Sequence, residues 1–187
     1  KSKQGALVAS ARAGNVIGGG DWSEDRLVPD LVRGIVGGTK IVIRNPRALR
    51  PWQHVLDPLY GYLLLARRLC NREREFAEPW NFGPREASIP VSDLAQRCLR
   101  LWGKDKGKAR LQLAAGKSQL HEAHHLKLDC SKAQARLGWE ARLGVDQMLR
   151  WTVDWYRNFI RDPRCAQQLT CRQIAQYMDL VSSSTPL

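Results

Sequence analysis

The feature that most constrains the fold is the run ALVASA at residues 6–11, small or apolar side chains without polar alternation. A half-exposed strand alternates apolar and polar side chains. An unbroken run suits a strand covered on both faces, as in a parallel sheet. Such a strand needs partners on both edges, and no strand precedes it in this sequence. The expectation is that the neighbouring strands belong to a longer parent protein, and that an exposed edge here would lower solubility.

The rest of the chain alternates helical and extended patterns. Leu27, Leu31 and Ile35 share one helical face, with Asp25 as the expected N-cap and Gly37-Gly38 as the stop. KIVIR at 40–44 reads as a strand and Asn45-Pro46 as a turn. Residues 52–56 read as extended, and Asp57 then caps a helix from Pro58 to about Leu69. Residues 80–84 form a strand entering a turn, and 90–102 a helix. The Lys- and Gly-rich stretch 104–117 reads as an exposed connection, and LKLD at 126–129 as an edge strand. Residues 131–137 predict a short helix closed by Gly138, 145–160 a longer amphipathic one, and 171–180 another. Strands alternating with helices make the fold class α/β. Residues 1–181 read as one unit and 182–187 as a disordered tail.

Composition removes several function classes. With 187 residues, 43% hydrophobic and 26% charged, the chain is globular in character. No stretch approaches the roughly 18 apolar residues of a membrane span, and the N-terminus lacks an apolar signal region. The expectation is a cytoplasmic protein without a membrane partner. Five cysteines at irregular spacing, with no Cys-x-x-Cys, read as free and mostly buried thiols. No metal is expected, although His121, His124 and His125 cluster. The net charge of +12 raises nucleic acid as a partner, but the basic residues are scattered and often sit beside acids, as in Arg72-Glu73-Arg74-Glu75. A diphosphate ligand fits such a field equally well, and no nucleic acid is expected.

Gly18-Gly19-Gly20 follows a strand and could be taken for a phosphate cradle. The spacing does not match Gly-x-Gly-x-x-Gly, and Asp21-Trp22 makes a poor helix start. A ligand-facing loop at the carboxyl end of a sheet strand is the preferred reading.

Residues 11–30 (ARAGNVIGGGDWSEDRLVPD), 43–66 (IRNPRALRPWQHVLDPLYGYLLLA), 80–84 (WNFGP) and 121–139 (HEAHHLKLDCSKAQARLGW) carry a family resemblance, as does WTVDWY at 151–156. Together they resemble the nucleotide-sugar epimerases and dehydratases of the extended short-chain dehydrogenase/reductase type. The RPWQHV and GGGDW segments are similar to the CDP-glucose 4,6-dehydratases in particular. The resemblance implies a Rossmann-type fold, here its last sheet strands plus a small mixed α/β substrate-binding lobe. It implies a lyase with NAD as internal hydride carrier and CDP-glucose as substrate, and a parent enzyme that pairs as a homodimer. In that family a Tyr-x-x-x-Lys pair assists oxidation at C4, because a neighbouring lysine lowers the tyrosine pKa. Tyr60, Tyr62, Tyr156 and Tyr177 are followed four residues on by Leu64, Ala66, Ile160 and Val181. No catalytic residue is therefore assigned within this chain; the pair and the NAD glycine motif are expected upstream.

The resemblance also implies site residues. Asn15 contacts the sugar nucleotide near the diphosphate, against the plain alternative of a turn-forming Asn. Val16 lies against the nicotinamide end of NAD. Arg26 and Leu27 open the helix that packs on the nucleotide, though Leu27 serves equally as core. Ile41 and Ile43 flank the base, though core packing explains them as well. Arg50 grips phosphate oxygens, with Arg44 and Arg47 as alternatives. His121, Glu122 and His125 contact ribose or phosphate, a carboxylate suiting a ribose diol. Arg12 reads as a buried, ion-paired strand residue, and His54 as a satisfied strand residue. Trp22 and Trp52 are candidates to line the pocket. Three other functions stay open: an enzyme acting on UDP-, GDP- or dTDP-sugars, a non-catalytic binding remnant, and a basic nucleic-acid-binding module.

Overall fold

The computed structural model describes residues 5–113 and 128–183. His121, Glu122 and His125 lie outside the described residues, as do residues 184–187.

Among the described residues, eight short strands and six α-helices alternate, consistent with the α/β expectation. Strand β1 (Ser10–Ala13) pairs in parallel with β6 (Pro79–Phe82), and β2 (Asn15–Ile17) with β5 (Trp52–His54). Strand β3 (Lys40–Ile43) pairs in parallel with β8 (Arg110–Leu113), and β4 (Leu49–Arg50) antiparallel with β7 (Ile89–Pro90). Gly14 separates β1 from β2 because a Cβ there would fall 2.4 Å from the Pro51 carbonyl oxygen. That close approach lets the Asn15 N–H donate to the same carbonyl at 2.8 Å.

The helices are α1 (Leu27–Val36), α2 (Leu56–Cys70), α3 (Val91–Trp102), α4 (Ser131–Leu137), α5 (Val145–Arg161) and α6 (Ala166–Ser182). Helices α1, α3 and α5 bury their apolar faces in one cluster with β2, β3 and β5, in which Leu31, Leu94, Met148, Leu149 and Tyr156 are almost fully covered. Each such side chain stabilises the fold by about 1.5–3 kcal/mol before entropy is charged. A second cluster joins α2, α4 and β6 through Phe76, Trp80, Phe82 and Trp139. Gly61 brings α2 close to that sheet: a Cβ there would fall 2.4 Å from the Phe82 ring and 2.9 Å from the Trp139 indole nitrogen. Gly138 closes α4 in the left-handed conformation at φ 63°, as its glycine predicts.

Several expectations are corrected. The first strand is Ser10–Ala13 and not 6–11, and Ser10, Ala11 and Arg12 are exposed. Arg12 therefore needs no buried partner. Asp25 does not cap α1: it has φ 59°, Arg26 holds the cap position, and no side chain bonds the helix end. Asp57 lies inside the first turn of α2, whose cap residue is Val55, and it is fully buried. The stretch read as a connection contains β8, paired with β3. Leu128 and Asp129 are not in a strand; the Asp129 carboxylate instead accepts the Ser131 N–H at 2.9 Å. Helix α6 starts at Ala166, earlier than expected, and includes Ser182, the first residue of the expected tail. Of the five free thiols only Cys98 is fully buried, with Cys70 and Cys171 exposed.

Candidate functional site

The carboxyl end of β2 opens into a groove. Strands β2 and β5 form its floor, the segment 25–29 its wall, and β3 and β4 its far rim. It has two connected lobes of about 430 and 180 Å³, which share Asn15, Asp25, Leu27 and Trp52. Val16 and Arg26 line the larger lobe, Ile43, Arg44 and Arg50 the smaller. Of the sequence-assigned residues that are described, Asn15, Val16, Arg26, Leu27, Ile43 and Arg50 thus border one groove.

Ile41 does not. The burial of β3 alternates, and Ile41 turns to α1, where a Cβ on Gly34 would fall 2.2 Å from it. Val42, 56% exposed, lines the smaller lobe instead. Strand geometry puts Val42 on the opposite face of β3 from Ile41, a distinction that three consecutive apolar residues do not display in the sequence. Asp21, Asp25 and Asn45 also line the groove, and the sequence reading assigns none of them a ligand role. Trp52 is a groove residue as expected, although it stands in β5 and not in a loop. Trp22 lines neither lobe: its ring packs edge-on against Tyr156 at 5.3 Å and against Phe159 at 5.5 Å.

The three glycines are shaped by packing. A Cβ on Gly18 would fall 2.7 Å from Val55, and one on Gly19 2.1 Å from the Trp155 ring. Gly20 turns with φ 86° over the same indole. The Tyr156 hydroxyl donates to the Asp21 carbonyl at 2.6 Å, and Arg33 donates to the carbonyls of Trp22 and Ser23 at 3.0 and 3.1 Å. Helices α5 and α1 thereby clamp the loop from two sides. Its inner face is filled by protein, so these residues do not form a dinucleotide cradle. Val16, which the family resemblance sets against NAD, lines the larger lobe and not this loop.

Charges on the rim are matched. Arg26 contacts Asp21 at 3.4 Å, Arg44 contacts Asp25 at 2.7 Å, and Arg33 contacts Asp30 at 2.5 Å. Partial burial pushes the Asp21 carboxyl up, but the Ser23 N–H and hydroxyl and the Arg26 guanidinium outweigh it and hold it below its ordinary value. The Arg50 guanidinium donates to the Leu49 carbonyl at 3.1 Å.

Behind the floor lie buried polar groups. His54 accepts the Leu56 N–H on Nδ1 at 3.3 Å, while its Nε2 is buried with no hydrogen-bond partner. Burial drives its pKa down to about 4. The expectation of a fully satisfied residue holds for one ring nitrogen only. Asp57 accepts from the Arg142 N–H at 2.7 Å and the Tyr177 hydroxyl at 2.9 Å, while its other oxygen has no partner. Burial outweighs these bonds and raises it to about 6. Among the described residues no group of three His, Cys, Asp or Glu side chains could hold a metal, and no helix is long and apolar enough to cross a membrane.

No family model matches the chain. Among curated proteins, the CDP-glucose 4,6-dehydratase of Salmonella typhimurium is 46% identical over 179 residues, covering 94% of this chain and 48% of that protein. The UDP-glucose 4-epimerase of Pisum sativum is 27% identical over 115 residues, 62% of this chain and 31% of that one. Of solved structures, dTDP-glucose 4,6-dehydratase from Bacillus anthracis in complex with NAD superposes with a TM-score of 0.63 at 19% identity, over 87% of this chain and 47% of that one. UDP-glucuronic acid 4-epimerase from Bacillus cereus, bound to UDP-glucuronic acid and NAD, gives 0.66 at 17% identity, over 82% and 46%. The chain spans about half the length of the first curated relative and of these two structures. The 46% identity over nearly all of the chain makes it similar to a CDP-glucose 4,6-dehydratase, and the shared architecture shows the fold of the extended short-chain dehydrogenase/reductase enzymes.

Proposed function

We propose that the chain is the substrate-binding portion of a CDP-glucose 4,6-dehydratase, a lyase that eliminates water from CDP-glucose to give CDP-4-dehydro-6-deoxyglucose. Residues 1–181 would hold the nucleotide sugar, and NAD and the catalytic tyrosine–lysine pair would reside in a part outside this sequence. The observation that carries the reading is the shared groove. Asn15, Leu27 and Arg50 come from β2, α1 and β4, yet border one cleft. In this assignment the Asn15 amide and the Arg50 guanidinium take the diphosphate, a forked donor matching its oxygens. Arg26 and Leu27 wall the nucleotide, Ile43 and Val42 lie beside the base, and Val16 faces the nicotinamide end of NAD. His121, Glu122 and His125, outside the described residues, are assigned to ribose or phosphate. The complete enzyme is proposed to be a homodimer and to act in the cytoplasm. The half present here binds and orients; it moves no proton and no hydride by itself.

Calorimetric titration separates this reading from its rivals. CDP-glucose should bind the chain more tightly than UDP-glucose at fixed salt, and NAD should bind weakly. A preference for UDP-glucose would move the assignment to an epimerase-type substrate. Micromolar NAD affinity would overturn the division between binding portion and redox portion. Duplex DNA binding that falls steeply with salt, without nucleotide-sugar binding, would replace the reading by the nucleic-acid one.

A further inference from the structure

The groove's smaller lobe contains its own anion. Arg44, at the end of β3, aims its guanidinium at Asp25, just before α1, with 2.7 Å between Nη2 and Oδ1. The pair spans the cleft, and Asp25 borders both lobes. Both side chains are largely exposed, at 67% and 79%, so the contact is built on attraction across water-accessible space and not on burial. Asp25 also sits at φ 59°, a left-handed conformation that non-glycine residues adopt rarely and Asp or Asn most readily. Glu24 beside it is exposed. A carboxylate and a phosphate present similar paired oxygens to a guanidinium fork.

We infer that Asp25 is an internal substitute for the ligand's diphosphate: its carboxylate holds Arg44 in the free protein, and nucleotide-sugar binding exchanges one anion for the other. Arg44 then joins Arg50 as a diphosphate-binding residue, and Asp25 sets how tightly the groove takes its ligand. The inference rests on the proposed nucleotide-sugar reading of the groove. An exposed ion pair is weak, so opening it holds back affinity by about two- to fivefold.

The test is a double-mutant cycle on the full chain, Asp25→Asn, Arg44→Gln and the two together, with Glu24→Gln as a control of equal charge change. Asparagine tolerates the same backbone angle, so Asp25→Asn keeps the turn. Each protein is titrated with CDP-glucose and, separately, with inorganic pyrophosphate. Asp25→Asn is expected to tighten both ligands about two- to fivefold, well beyond Glu24→Gln, and the gain should vanish when Arg44 is Gln. Equal gains in Asp25→Asn and Glu24→Gln, or a gain that survives Arg44→Gln, would overturn the exchange. If pyrophosphate shows the expected pattern while CDP-glucose does not bind, the exchange stands and the substrate reading fails. If neither ligand binds any variant, both fall.

Discussion

The groove rim and the layer behind its floor treat polar side chains in opposite ways. On the rim, Arg26 and Arg44 meet Asp21 and Asp25 in the open, where each pair adds little stability and can be rearranged at small cost. Behind the floor, His54 and Asp57 stand three residues apart with almost no exposure, each with one atom lacking a partner. Buried groups of that kind are expensive and fixed. The comparison teaches that this chain keeps adjustable electrostatics where a ligand would arrive and places rigid, costly polarity where three segments must be held together.

The largest expected effect falls behind the floor. Asp57→Ala orphans the Tyr177 hydroxyl and the Arg142 N–H in the interior, and should lose about 3–5 kcal/mol in urea unfolding. A loss under about 1 kcal/mol would mean that those donors find other partners.

The acid range sharpens the contrast next. As pH falls from 6.5 to about 4, the unfolded chain protonates histidine before folded His54 does, so the stability linked to His54 is lost. Asp57 runs the other way: its folded carboxyl takes a proton near 6 and the unfolded one only near 3.8, so stability grows over nearly the same fall in pH. The two contributions oppose each other in the native chain. Asp57→Asn should expose the His54 loss, about 3 kcal/mol between pH 6.5 and 4 in denaturant titrations. His54→Gln should leave stability rising toward acid. A variant profile no steeper than the native one would refute this opposition.

Rim changes should spare the fold and touch binding. Arg50→Lys keeps the charge but loses the fork, and should weaken CDP-glucose about tenfold with stability changed by less than about 1 kcal/mol. Arg26→Gln breaks an exposed contact, and thermal melting should report no more than about 0.5 kcal/mol. Destabilisation of Arg26→Gln comparable to Asp57→Ala would erase the distinction between the two regions.

Much of the architecture is legible in the sequence because local chemistry and tertiary packing agree. Helix α4 ends at the glycine that its αL position requires, and α3 lies within a residue of its apolar spacing. Failures occur where tertiary pairing decides. Strand β8 hides in a Lys- and Gly-rich stretch because it is short and mostly exposed, and only its register with β3 makes it a strand. Asp57-Pro58 carries the signature of a helix start, but the carboxylate is drawn inward by Tyr177 and the 142 backbone, contacts far away in sequence. The glycine loop was rightly set apart from a dinucleotide fingerprint, yet its cause, an indole 135 residues downstream of Gly20, carries no local signal. The groove residues were reached through family resemblance; periodicity alone did not separate Val42 from Ile41.

Gly61 has a consequence beyond its own contact. It lies one turn beyond Asp57 on α2, pressed against Phe82 and Trp139, so the absent methyl sets the height of the helix above the sheet. Trp139 donates its indole N–H to the Asp57 carbonyl at 2.9 Å, and Tyr177 reaches the same residue from α6. An alanine at 61 would act as a shim: it would tilt the helix and loosen the attachment of α6 and of the segment between α4 and α5 together, so that distant parts of the chain would come undone as one.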